Sequence, residues 1–179
     1  MKTNVKNKYD VYKLLKVLKY LLYFAEFALF FVLQNLPSGF PLIFSVKPLL
    51  VLSLLISVSL IESEMSTVFF SLGAGFLLDA GVAPLGLSSL FLCIVCTFLS
   101  ALSKKKFKAT ILSSVVSTFV VTLFYAVFIW SAVYFLPGSE KAFAMFVDRY
   151  LPMVIYTVLI SPLMYILNLG IFRVFRNKH

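Results

Sequence analysis

The chain has 179 residues, 61% hydrophobic and 13% charged, with a mean hydropathy of +1.02. A soluble domain carries roughly 25% charged residues, far more than this chain holds. That balance excludes a soluble enzyme, a nucleic-acid binder and a disordered tail. It leaves an integral membrane protein of single-domain size. The net charge of +9 is no nucleic-acid signal either, because the cations gather at a few points along the chain.

A membrane-crossing helix needs about 20 mostly apolar residues. On that scale the sequence predicts an all-α protein with six spans, at 20–36, 42–61, 66–79, 85–102, 110–136 and 151–172. Lys47 and Pro48 sit near the start of the second, so Pro48 is an alternative beginning. The third is short. From Glu64 to Asp79 a helix climbs about 22 Å, against a hydrocarbon core of roughly 30 Å. It is therefore either a short span holding an acid near membrane depth or a re-entrant hairpin.

The cations decide between these. Lys2, Lys6, Lys8, Lys13, Lys16 and Lys19 precede the first span, and Lys104, Lys105, Lys106 and Lys108 separate the fourth and fifth. Arg173, Arg176 and Lys178 follow the sixth. With six spans all of these share one side, leaving only Lys47, Lys141 and Arg149 on the other. Short-loop lysine and arginine bias sets orientation, so both termini are expected in the cytoplasm. A re-entrant third segment would move the Lys104 cluster outside. The expected organisation is a basic N-terminal segment (1–19), a membrane domain (20–172) and a basic tail (173–179). No cleaved signal peptide is expected, since Glu26 interrupts the first apolar run and no small-residue cleavage pattern follows. The lysine-rich stretch 5–19 reads either as a surface amphipathic helix drawn to anionic lipid or as an extension of the first span with snorkelling lysines.

Acids inside a membrane are costly and mark functional sites by default. Glu26 cannot be moved out of the first span, and its readings are a contact with Lys19, a partner helix or a polar cavity. Asp79 ends the third span with no Lys or Arg between Lys47 and Lys104. An ion pair with Arg149 is the preferred expectation for it; hydration at the outer interface is the alternative. Ser71, Gly75 and Asp79 recur every four residues with Gly73 beside them, and small residues at that spacing let helix backbones approach closely. Thr110, Ser114, Thr118 and Thr122 repeat the pattern, as do Ser53 and Ser57.

Catalytic parts are missing from this pattern. Cys93 and Cys96 have the spacing of half a metal site, but no second pair exists and the single histidine is His179. They read as small core residues, and no metal or cofactor is expected. Glu62 and Glu64 read as solvated acids in a cytoplasmic turn. The turn at Gly81, Pro84 and Gly86 is chemically stiff, because glycine permits positive φ and Pro84 restricts its neighbour. A tight outer hairpin there holds Asp79 at a fixed depth.

The run Gly73-Ala74-Gly75-Phe76-Leu77-Leu78-Asp79, followed by Pro84-Leu85-Gly86-Leu87-Ser88, resembles the central signature of the rod shape-determining protein family MreD. The close match covers about 25 residues of the chain, and Phe76 stands where that family has leucine. The resemblance implies a non-enzymatic subunit of the bacterial cell-elongation machinery in the inner membrane. It implies the bitopic protein MreC as partner, with links to MreB, RodA and a class B penicillin-binding protein. It also implies a fold similar to the S component of energy-coupling-factor transporters. Glu26, Ser71, Gly73, Gly75, Asp79, Pro84 and Gly86 are then the expected partner-binding or helix-packing residues. Two further readings stand beside it. One is a vitamin-binding S component, with Asp79, Glu26, Trp130, Tyr125 and Tyr134 around a ligand; the other is a lipid-processing enzyme, which lacks a catalytic set. Anionic lipid is the expected company of the basic cytoplasmic face.

Overall fold

The structure, a computed structural model, describes residues 2–36, 46–82, 86–105, 110–136 and 142–176. Within them it is helical, with no β-strand. Helix α1 (Lys2–Asn35) is followed by α2 (Leu50–Ile61), α3 (Glu64–Val82), α4 (Leu87–Lys105) and α5 (Ile111–Trp130). The last of these continues as a π-helical stretch, Ser131–Phe135. A short α6 (Ala142–Met145) leads through a second π stretch, Phe146–Tyr150, into α7 (Leu151–Arg176). Three stretches, Leu14–Asn35, Ile111–Phe135 and Phe143–Phe175, are long and apolar enough to cross a membrane.

Small polar residues fill the interior and large apolar ones cover the outside. Ser53, Ser57, Ser71, Ser100, Ser114, Thr118, Thr122, Thr157 and Ser161 are fully buried, whereas Phe24, Phe69, Phe98, Phe124 and Leu159 are more than 60% exposed. Water would punish that exchange; lipid does not, because close backbone packing, and not hydrophobicity, drives helix association there. Thr110 leaves the expected stripe. It is exposed and caps α5, its hydroxyl accepting the Ser113 N–H at 3.2 Å.

The centre of the bundle is α2, surrounded by α1, α3, α4, α5 and α7. Every residue from Leu50 to Leu60 is buried. Pro48 sets its beginning, and the chain turns helical two residues later. Twelve residues span about 18 Å, so both ends stop inside protein and their backbone groups need partners there. At the start, the Leu49 N–H donates to Thr157 Oγ1 at 3.0 Å and the Val51 N–H to Gln34 Oε1 at 3.2 Å. At the finish, the Ser103 hydroxyl donates to the Leu60 carbonyl at 3.1 Å and Ser100 to that of Glu62 at 3.4 Å.

The third predicted segment is one continuous helix of 19 residues, about 28 Å long, with no re-entrant turn. The N-terminal lysine stretch continues α1 without a break from Lys2. In α7, Pro162 lacks the N–H that the Val158 carbonyl would take in a regular helix. The Ser161 hydroxyl occupies that carbonyl instead, at 2.9 Å.

Contacts sort the helix ends into two groups. Lys19 lies over the Phe172 ring, Tyr20 bonds Ser66, and Ser103 bonds Leu60, so these belong to one end. Asp79 bonds the start of α4, Ser88 meets Tyr125, and Tyr134 meets Tyr150 at the other. Lys104, Lys105 and Arg173 continue the first group, which is the lysine-bearing end.

Candidate functional site

The residues singled out around Asp79 divide into two groups. Ser71, Gly75 and Asp79 are buried, while Gly73 is exposed. The cause is helical arithmetic: two residues rotate about 200° at 3.6 residues per turn, so Gly73 cannot share a face with its neighbours on either side. Gly75 is pressed against α4. A Cβ placed on it would fall 2.3 Å from Ser89 Cα, whereas one on Gly73 would meet nothing within 4 Å.

Asp79 is not paired with Arg149. Its Oδ2 accepts the Gly86 N–H at 2.8 Å and its Oδ1 the Ser88 N–H at 3.0 Å, and it is 3% exposed. Arg149 is exposed. The carboxylate caps the first turn of α4, where free N–H groups and the helix dipole both favour a negative charge. Gly86 enters that cap with φ of 98°, a conformation suited to glycine. Ser88 passes the connection on to the Tyr125 hydroxyl, 3.0 Å away. Pro84 lies outside the described residues.

Glu62 is not a solvated acid. It is buried, forms an ion pair with Lys19, and accepts the Tyr23 hydroxyl at 2.9 Å. Lys19 is therefore committed to Glu62 and not to Glu26. Glu26 is half-buried, and its Oε2 is shielded from solvent with no hydrogen-bond partner.

Between α1 and α3 the surface opens into a lateral slot. Its floor is the Phe70 ring, stacked on Phe27 at 5.5 Å and edge-on to Tyr23 at 5.7 Å. Phe24, Phe31 and Val32 form one wall, and Phe69, Gly73 and Leu77 the other, around a cavity of about 500 Å³. A second cavity of about 480 Å³ shares Phe24, Phe69 and Phe70 and carries the slot on to Lys16, Ser63 and Ser66. At that end the Ser66 hydroxyl lies 2.8 Å from Tyr20 Oη and 2.9 Å from Ser63 Oγ. Along α1 the slot runs from Lys16 to Val32, about 24 Å. Phe24, Phe27 and Phe31 follow helical spacing in the sequence, yet nothing there shows that α3 leaves their groove uncovered.

A smaller cavity of about 170 Å³ opens at the other end, lined by Gln34, Asn35, Leu78, Tyr125 and Tyr150 among others. Of the five residues expected around a small ligand, only Tyr125 lines it. Its volume is also below the roughly 300–1,000 Å³ usual for small-molecule sites. Trp130 and Tyr134 belong instead to an aromatic cluster with Phe135, Phe146 and Tyr150 across the two π stretches. Comparison with protein-family models, with curated proteins and with solved structures gives no match.

Proposed function

We propose that this chain is a non-enzymatic membrane scaffold of the MreD type, which seats the single span of a bitopic partner in the slot between α1 and α3. In this reading six helical segments cross the bacterial inner membrane, with α2 a short one sheathed by the others, and the lysine-bearing end faces the cytoplasm. MreC is the proposed partner, and through it MreB, RodA and a class B penicillin-binding protein. The motif from Gly73 to Ser88 supports the family, and the gathering of lysines at one end supports the topology.

The observation that carries the reading is Gly73. It is a small residue in the wall of an open, aromatic slot, with nothing within 4 Å of a Cβ built there. The slot length approaches the roughly 30 Å of hydrocarbon that a partner helix must cross, and a glycine notch allows that helix's backbone to come close. Substituting Gly73→Leu leaves the bundle intact and weakens co-purification of MreC by about tenfold or more, a loss of about 1.4 kcal/mol. If the variant retains MreC at the wild-type level and supports cell shape, the slot is not the partner site.

A further inference from the structure

Glu26 sits where an acid is hardest to keep. It belongs to the membrane-length stretch Leu14–Asn35, about 18 Å along the helix from Leu14 and about 14 Å from Asn35. Acids at such depth are expensive and face a partner or a cavity. Lys19 and the Tyr23 hydroxyl are both taken by Glu62. On α7, which borders α1 where Phe172 underlies Lys19, the Asn168 amide donates to the Met164 carbonyl and the Ser161 hydroxyl to that of Val158. Glu26 Oε2 is left shielded from solvent with no partner. The helix around it is also bare: 11% of its apolar window is buried, against 33% and 39% in Ile111–Phe135 and Phe143–Phe175. Leu22 and Leu29, four residues before Glu26 and three after it and so on its face, are 42% and 58% exposed. This face is not the slot. Phe24 and Ala28, which line the slot, each stand two residues from Glu26 and hence about 200° round the helix.

We infer that the face of α1 carrying Leu22, Glu26 and Leu29 docks a membrane-spanning helix of a second partner, which brings a lysine or arginine side chain to Glu26 at mid-membrane. Opposite charges in hydrocarbon relieve each other's cost, and ionisable residues within membranes accordingly pair with one another. A neutral donor would leave the carboxylate charge in place. Leu22 and Leu29 supply apolar contact above and below the pair. A second copy of this chain does not fit, because its described cations Lys16, Lys19, Lys47, Arg149 and Arg173 lie towards the helix ends and not at that depth. The inference rests on α1 as a membrane span, and not on the slot or on MreC.

The test uses the full chain in phosphatidylcholine vesicles, labelled for energy transfer to a synthetic leucine helix of about 20 residues with arginine at its centre. Control helices carry leucine or asparagine there. The wild type binds the arginine helix about tenfold or more tightly than either control. Glu26→Gln keeps the shape, removes the charge and loses that preference; because Oε2 has no partner, the change breaks no described bond to that atom. Gly73→Leu, in the slot on the other flank, keeps the preference. Equal binding of the arginine and leucine helices by the wild type overturns the inference, as does equal binding of the arginine and asparagine helices. So does a preference that survives Glu26→Gln or disappears in Gly73→Leu. A Leu29→Cys variant in the same vesicles checks the placement separately. Protection from a membrane-impermeant maleimide upholds α1 as a span, whereas reaction removes that placement and the inference with it.

Discussion

Two glycines two residues apart are predicted to respond in opposite ways to the same added methyl group. Gly75→Ala places a Cβ 2.3 Å from Ser89 Cα, 2.6 Å from its N and 2.7 Å from its Oγ. Comfortable carbon contacts lie at about 3.5–4.0 Å, so α3 and α4 must move apart by about 1.2–1.7 Å. Two of the three clashing atoms are backbone, which no rotamer change relieves. Overpacking of this kind costs about 1–3 kcal/mol. Separation also strains the Asp79 bonds to Gly86 and Ser88, where a hydrogen bond to a charged group contributes about 1.5–3 kcal/mol. Gly75→Ala should therefore destabilise by about 3 kcal/mol. Gly73→Ala meets empty space in an exposed helical position, where alanine is favoured over glycine by about 1 kcal/mol, and should be neutral or slightly stabilising. Reversible unfolding in mixed micelles, followed by helical circular dichroism, measures both. Equal stabilities for the two variants would refute the assignment of Gly75 to the α3–α4 contact.

Asp79→Ala leaves the part-buried Gly86 N–H and the buried Ser88 N–H without their acceptors and should cost about 2–4 kcal/mol, whereas Arg149→Ala should change stability by less than about 0.5 kcal/mol. A comparable loss in both, by the same unfolding measurement, would restore the ion pair and remove the cap. Lys19→Met strands the Glu62 carboxylate beside Tyr23 and should destabilise by about 3–5 kcal/mol. Adding Glu62→Gln should recover most of that loss, and a double-mutant cycle with no coupling would show that the pair contributes nothing.

Hydrophobic period and chain punctuation in the sequence go far towards the helices of this fold. Pro48 marks the beginning of α2, and the serine and threonine stripes of α2 and α5 point to buried seams, as they are found. What escapes the sequence depends on neighbours distant in the chain. Glu62 reads as a loop acid until Lys19 and Tyr23 are brought against it from 43 and 39 positions away. For Asp79, a search confined to cationic side chains looks past the backbone N–H groups of Gly86 and Ser88. An acid seven residues before a glycine that opens a helix was the available signal. The inward turn of Gly75 and the outward turn of Gly73 follow from helical period alone, but choosing which of them meets α4 requires the packed pair.

The sheathed central helix has a consequence for biogenesis. At about 18 Å, α2 is too short to rest in a bilayer by itself, and its end groups depend on residues made at other times. Gln34 already exists when α2 leaves the ribosome, but Ser100 and Ser103 follow about 40 residues later and Thr157 follows 108 residues after Leu49. The innermost element of the bundle is thus translated second and secured last. Until α7 arrives, the nascent chain holds a provisional helix whose exposed backbone groups are what a membrane insertase or quality-control protease would sense.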